Sequence, residues 1–390
     1  ALSVKCRGAE PEHAVRSSRL RYIRNNTRLL PFLLEAMESH GVTGSVACDQ
    51  LAGTASVGRP LKLRGWRVHS GDVMALSYAF QVARVTLDRT PGFSPALLAV
   101  NGDSFSRNDR RDSRGTSLRS VLRELESRPP SHGFISEQYS PAGADARAHG
   151  RMYFTAENAG AIDAVREGIE SWASSGLLDS DQKQLLLATL IQGADRVANT
   201  TGVYASFVKS WQPNALKSLE LRAVRPALPP AASARGCTAF RGPAADMMDR
   251  AGPVDLVYLD PPYNERQYPG YYHIPELLAR GWDPTPELRG KTGLIPDEEL
   301  RSDWCRRGRC EQALRTVLDH SDARHVLLSY NEEGLIPLPR IEDILRDSGD
   351  ADSYRRVGQG YRRYRSDSDG PSRRYQRDRV REWLHYVRRR

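Results

Sequence analysis

VDLVYLDPPYNERQY, Val254 to Tyr268, runs an apolar segment straight into an aspartate, two prolines and a tyrosine. Val254, Leu256, Val257, Tyr258 and Leu259 are aliphatic, β-branched or aromatic almost without interruption, which predicts a central parallel strand covered on both faces. Asp260 stands at its carboxyl end, where open α/β sheets place their ligands. Pro261 and Pro262 fix their own φ, restrict the residue before them and remove two backbone donors, so carbonyls are left free to accept. An Asp-Pro pair alone reads as an ordinary strand end. Asp260, Pro261, Pro262 and Tyr263 in this order behind such a strand read as a rigid acceptor platform with an aromatic ring beside it.

Working outward, SVACDQL (Ser45 to Leu51) predicts a short strand that opens into AGTASVGRPLKLRG. Gly53 and Gly58 frame a turn into a helix marked by Val57, Leu61 and Leu63 and closed at Gly65, and WRVHSGD follows as a second strand ending in Asp72. Strand, glycine turn, helix, strand and acid is the order of a nucleotide-binding βαβ half, with the acid placed to bond ribose hydroxyls. From about Thr90 the pattern changes to polar, arginine-rich SFSRNDRRDSRGTS and loop-like SRPPSHGF. Helical periodicity then fills AGAIDAVREGIESWASSGLL and SDQKQLLLATLIQGADRVANTTGVYASFVKSW. Past RPALPPAASARG the sheet pattern resumes with CTAF, VDLVYL, HVLLSY and an antiparallel pair of SYRRV or YRRYR with EWLHYV. The expected organisation is a sheet domain split around an insert: 1–90, then a largely helical 91–225, then 226–390.

With 390 residues, 39% of them hydrophobic, the chain can bury one large core or two modest ones, and one elaborated α/β domain is expected. No apolar stretch is long enough to span a bilayer, and the residues before Tyr22 lack the apolar core of a signal peptide, so a soluble intracellular protein is expected. The five cysteines (Cys6, Cys48, Cys237, Cys305, Cys310) form no C-x-x-C pair, which supports neither a disulfide framework nor a zinc site. A formal charge of +9 points toward a polyanionic partner. Its arginines crowd RSSRLRYIRNNTR, WCRRGRC and the tail from YRRVGQGYRRYRS to YVRRR, where interleaved tyrosines suit a surface that touches nucleic acid. Ordinary solvated arginine-rich faces account for part of that excess.

The phrases LRYIRNNTRLLPF, DQLAGTASVG, YSPAG, GRMYF, ADRVANTTGVYASFVKSW, LDPPYNERQY, GKTGL and LSYNEEG together resemble an adenine-specific DNA methyltransferase of the Dam-like alpha group, over nearly the whole chain. The resemblance implies an α/β fold, a Rossmann-like S-adenosylmethionine-dependent methyltransferase sheet with a largely helical target-recognition insert. It implies that the Asp260 carboxylate and the Pro261 carbonyl accept hydrogen bonds from the exocyclic amine of a flipped-out adenine, with Pro262 in the same turn and Tyr263 offering an aromatic face. Tyr22 and Ile23 then touch the methionine end of the cofactor, Asp49, Ala52, Gly53 and Thr54 form the turn beneath it, Asp72 takes the ribose and Asp260 borders both ligands. Ser329 to Asn331 are candidates to wall the base pocket, and His273 is expected to be a packed helix histidine. Lys291, Arg362, Arg363, Arg373 and Arg374 are phosphate-contact candidates. No metal is implied. The implied setting is the cytoplasm of a bacterium or archaeon, at the nucleoid, with DNA as partner and a restriction endonuclease as a separate protein.

The chain departs from the family's pattern at Arg24 and Asn26, at Leu51 in place of phenylalanine, at Ala55 in place of a glycine, and at Pro243 where an acid is expected near the cofactor's adenine amine, Asp246 being displaced from it. Ala55 is tolerable there only if it keeps φ below zero. Two other readings stand beside a DNA adenine methyltransferase: an RNA amine methyltransferase, and a DNA-binding protein on the same scaffold with weak or lost catalysis.

Overall fold

A computed structural model describes residues 29–94, 97, 117–296, 298–362 and 379–389. Tyr22, Ile23, Arg24, Asn26, Arg363, Arg373 and Arg374 therefore lie outside the described residues, and Arg362 is described only as backbone. In chain order the elements are α1 (Leu30–Ser39), β1 (Val46–Gln50), α2 (Gly58–Leu63), β2 (Arg67–Asp72), α3 (Ala75–Gln81) running into a π turn (Val82–Thr86), and α4 (Leu118–Ser127). Next come α5 (Phe134–Tyr139), α6 (Ala144–His149), α7 (Ala156–Ser174), α8 (Ser180–Val197), β3 (Thr238–Arg241), α9 (Ala244–Ala251) and β4 (Val254–Leu259). The chain continues through α10 (Tyr268–Arg280), α11 (Cys310–Asp319), β5 (Ala323–Asn331), α12 (Leu338–Ser348), β6 (Arg355–Arg362) and β7 (Arg379–Arg388).

The strands form one sheet in the order β3-β2-β1-β4-β5-β7-β6. The first five run parallel, while β7 is antiparallel to both β5 and β6. The apolar run of β4 lies at the centre, as its composition requires: Leu256, Val257, Tyr258 and Leu259 are all buried. Alternation sends Cys48, Val257, Leu259 and Val326 to a core with Met247, Met248 and Leu314, and Ala47, Leu256, Tyr258 and Leu327 to a core with Leu33, Ala36 and Leu61. A third core, with Tyr139, Tyr153 and Leu187, is built chiefly from residues 118–197 but also takes in Phe80 of α3, Tyr204, and Tyr272, Ile274 and Leu277 of α10. The helix that follows the Asp-Pro-Pro-Tyr turn is thus packed on the helices that interrupt the sheet.

Several boundaries differ from the pattern in the sequence. Helix α2 starts at Gly58, and Leu63, counted among its apolar marks, is 41% exposed. Helix α8 stops at Val197 although apolar residues continue at helical spacing to Trp211. Asn199 is the reason: its side chain donates to the carbonyls of Met152 (3.0 Å) and Val208 (2.8 Å) and accepts from the amide of Gln212 (3.0 Å), which favours a folded loop over a further turn. Strand β6 begins in SYRRV and ends in YRRYR, so each covers one end of a single strand.

Among the described residues no helix is long and apolar enough to cross a membrane. Cys48, Cys237, Cys305 and Cys310 are buried free thiols.

Candidate active site

The strand order reverses between β1 and β4, and an open α/β sheet has its crevice at such a point, beyond the carboxyl ends of the strands. Asp49 on β1 lies beside Ser70 of β2 on one side and Tyr258 of β4 on the other. Asp72 and Asp260 are two residues beyond those neighbours, so all three carboxylates emerge on one face at one end of the sheet. They line a single open cleft of about 660 Å³, solvent at its mouth included, with Leu51, Ala52, Gly53, Val73, Met74, Pro262, Tyr268 and Leu300 among its walls.

Two of the three carboxylates, Asp49 and Asp72, are held by backbone amides. Asp49, 1% exposed, accepts from the Gly58 amide at 2.7 Å, the first of α2. A Cβ on Gly58 would lie 2.8 Å from that same oxygen, so the close approach requires glycine. Asp72 accepts from the amides of Gly53 and Met74, both at 3.0 Å, and so ties the turn after β1 to the loop after β2. Burial raises both acids, and for Asp49 the nearby charges of Asp260 and Asp72 add to it, carrying its pKa to about 7. The chain is basic as a whole, yet this cleft concentrates negative charge.

The turn itself is left-handed at three alternate residues, Leu51 (φ 57°), Gly53 (φ 51°) and Ala55 (φ 59°). The condition under which alanine would be tolerable at position 55, φ below zero, is therefore not met, and a Cβ in this region costs about 1–2 kcal/mol per residue. Such backbone persists where its surroundings over-determine it. Here the Ala52 amide donates to Gly71 O (3.0 Å), Gln81 Nε2 to Gly53 O (3.3 Å) and Arg84 Nη1 to Thr54 O (2.7 Å).

Other expected residues fall elsewhere. Thr54, Pro261 and Tyr263 are not among the lining residues of the cleft. Tyr263 packs beside the core that holds Trp304 and Tyr330, and its carbonyl accepts from the Leu335 amide at 3.0 Å. Ser329 donates to Glu382 Oε1 (2.9 Å) in a separate hollow of about 220 Å³ that shares Val57 and Tyr258 with the cleft. Pro243 caps α9, and Asp246 in its first turn is exposed, so neither borders the cleft. His273 is buried between the rings of Tyr139 and Tyr153, centroids 5.7 and 5.8 Å away, and burial lowers it to about 4.

Residues 22–332 match the family of D12 class N6 adenine-specific DNA methyltransferases. The chain belongs to that family. Similar proteins include the type II methyltransferase M.NlaIII of Neisseria lactamica, 32% identical over 94% of this chain and 99% of that protein. The modification methylase StsI of Streptococcus sanguinis is 30% identical over 84% of the chain, and the type II methyltransferase M.FokI of Planomicrobium okeanokoites 31% identical over 89%. The chain spans about half the length of these last two, 46% and 50%.

Four residues that brace this methyltransferase site had been given no role from sequence: Gln81, Arg84, Arg151 and Glu276. The Glu276 carboxylate, fully buried on α10, accepts from the amides of Ala75 (3.0 Å) and Leu76 (2.9 Å) at the start of α3, directly after the cleft-lining Val73 and Met74. Within α10, Pro275 cannot donate to the carbonyl of Tyr271, the helix kinks at Tyr272, and that carbonyl accepts instead from the Tyr204 amide at 2.8 Å. The buried Arg151 guanidinium reaches the carbonyls of Lys291 (3.0 Å) and Gly290 (3.2 Å), and Tyr139 donates to Gly293 O at 2.7 Å. Residues of the insert thereby hold both α10 and the loop that exposes Lys291. The one signal available in sequence was an acid or a base set in an apolar phrase, as in YYHIPELL and GRMYF.

Proposed function

We propose that this chain is the modification enzyme of a restriction system, transferring methyl from S-adenosylmethionine to the N6 amine of adenine at a specific DNA site. The observation that carries the reading is the meeting of Asp49, Asp72 and Asp260 in one cleft at the carboxyl ends of β1, β2 and β4.

The cleft's chemistry fits the cofactor. Three carboxylates, one of them lifted to about 7 chiefly by burial with its acidic neighbours adding, suit a ligand with positive charge, and apolar Leu51, Val73, Met74 and Leu300 suit its purine. Asp49 and the turn at Ala52 to Thr54 would hold the methionine end, Asp72 the ribose, with Tyr22 and Ile23 contributing from the preceding segment. When bound, S-adenosylmethionine supplies an electrophilic methyl group on a sulfonium.

The chain's own residues make adenine a nucleophile. Its amine is weak because the lone pair is delocalised into the ring. Hydrogen bonds accepted by the Asp260 carboxylate and the Pro261 carbonyl favour the pyramidal amine and oppose the positive charge that builds on nitrogen. Pro261 and Pro262 keep that acceptor geometry rigid before the base arrives, so the orientation cost is met by the fold. A stacked base cannot reach such a cleft, so the adenine must leave the duplex, with Tyr263 or Tyr268 as its stacking face. Lys291, on its pinned loop, and the terminal hairpin, where Arg356 and Arg381 lie over the Trp383 ring at 4.9 and 5.3 Å, offer cations to the phosphates, and Arg362, Arg363, Arg373 and Arg374 remain candidates from the sequence.

The test is transfer of labelled methyl to unmethylated DNA, with RNA and an Asp260→Ala protein alongside. Label on adenine in DNA and none with the variant is the expected result. Label on RNA alone, or none on either nucleic acid despite salt-sensitive DNA binding, overturns the reading.

A further inference from the structure

The left-handed turn after β1 is built in this chain with two residues that carry a Cβ, and two polar side chains from α3 and the π turn behind it reach its carbonyls. Arg84 belongs to that π turn, Val82–Thr86, and Gln81 immediately precedes it. A π turn inside a helical segment is an uncommon backbone form that recurs at functional sites. Here it lies against the cofactor turn, and the backbone carbonyl of Arg84 accepts from the Ala227 amide at 2.9 Å, which fixes the segment from its far side. The Arg84 guanidinium lies over the Phe80 ring at 4.7 Å. Arg84 thus approaches the turn from a fixed base.

We propose that Arg84, assisted by Gln81, is a positioning residue for cofactor binding: by holding Thr54 O and Gly53 O it keeps the turn Leu51–Ala55 in its left-handed form before the cofactor arrives. The proposal rests on the reading of this cleft as the S-adenosylmethionine site. Three hydrogen bonds meet on three successive peptide groups of the turn: Asp72 accepts from the Gly53 amide, Gln81 donates to the Gly53 carbonyl and Arg84 donates to the Thr54 carbonyl. The peptide on either side of Thr54 therefore cannot rotate toward the extended form that Ala55 would otherwise prefer. A glycine at position 55 would reach φ near 60° unaided, so the need for Arg84 follows from the alanine. Desolvation, with Arg59 nearby, lowers the Arg84 pKa to about 10, so it stays charged at neutral pH and its hydrogen bond is the stronger charged kind.

A double-mutant cycle on Arg84→Met and Ala55→Gly tests this, read as S-adenosylmethionine affinity by calorimetry, thermal stability, and steady-state kinetics on DNA. Arg84→Met is expected to weaken cofactor binding about tenfold or more and raise the cofactor KM alike, with kcat at saturating cofactor and DNA affinity within about twofold. Adding Ala55→Gly is expected to recover most of the loss, and Arg84→Lys, which keeps one charged donor, part of it. Gln81→Leu goes through the same cycle, so that a folding failure of Arg84→Met does not empty the test; it should show a smaller loss with the same rescue. Additive effects, with no rescue by glycine, overturn the proposal. So does a loss that falls equally on kcat, DNA affinity and cofactor affinity, the mark of a merely structural arginine. A wild-type protein that binds no S-adenosylmethionine at all would instead overturn the reading of the cleft, a different result from an unaffected Arg84→Met.

Discussion

Two turns face each other across the cleft and are stabilised in opposite ways. The one after β4, Asp260 to Tyr263, carries most of its rigidity in its own residues: two prolines set φ, with one long-range bond, from the Leu335 amide to the Tyr263 carbonyl, at its end. The one after β1, Leu51 to Ala55, has a backbone its own residues disfavour, and it is kept there by Asp72, Gln81 and Arg84, which lie 17 to 33 residues further along the chain. The difference separates local from imported order. The proline turn would keep its shape in a short peptide far better than the left-handed turn, whose geometry exists only once β2 and α3 have packed.

The contrast can be broken most severely at Asp260. Asp260→Asn should lower methyl transfer by a factor of about a hundred to a thousand while leaving the melting temperature nearly unchanged, since one acceptor for the developing charge is lost and the prolines remain. A large fall in stability would mean that the acid also supports the turn.

A smaller but clear effect is expected at Gly58→Ala. Its Cβ would meet Asp49 Oδ2 at 2.8 Å and Ser70 Oγ at 2.9 Å, so either the carboxylate or α2 must move, at a cost of about 1–3 kcal/mol in denaturant unfolding. Glu276→Gln should lose about as much, because one of two buried backbone amides faces a donor in place of an acceptor. Asp163→Asn is its control: that acid is likewise buried and accepts from the Gly133, Ile135 and Ser136 amides, but at the start of α5 and off the cleft. Both should lower stability, and Glu276→Gln alone should raise the cofactor KM.

Acid–base behaviour sharpens the same comparison. The Asp49 carboxyl is raised from 3.8 to about 7 in the folded protein, chiefly by burial, so the fold holds a proton that the unfolded chain has already released between those values. Its contribution to stability therefore falls as pH rises from about 4 to about 7 and is level above that. A cationic cofactor favours the ionised carboxylate, so its binding should strengthen as pH rises through 7 and release a proton. Calorimetric titration in two buffers of different ionisation enthalpy measures that proton, and Asp49→Asn should abolish both the slope and the release.

The smallest effects have opposite signs. Ala55→Gly should stabilise the free protein by about 0.5–1 kcal/mol, removing left-handed strain at some cost in unfolded-state entropy. Pro262→Ala should destabilise it by about 0.4–1 kcal/mol through that entropy alone. Equal signs would mean that the two turns are held in the same way.

The strands and the family were legible because they are written in local pattern. An apolar run of strand length, a glycine turn followed by an acid, and four residues after Leu259 place β1, β2, β4 and the Asp-Pro-Pro-Tyr turn within a residue or two. The end of α8 was not legible, because Asn199 ends it by reaching Met152 and Val208. Nor were the links from Arg151 to Gly290 and Lys291 and from Glu276 to Ala75 and Leu76, which span 139 or more and 200 or more residues.

By itself, the sequence determines which residues can do the chemistry here: the order of amino acids alone makes Asp260 an acceptor behind a rigid turn, since proline restricts its backbone wherever it stands. Only the tertiary structure decides the hand of the turn at Ala55. A single residue's preference of one or two kcal/mol is reversed when several hydrogen bonds from distant elements converge on the same peptide groups.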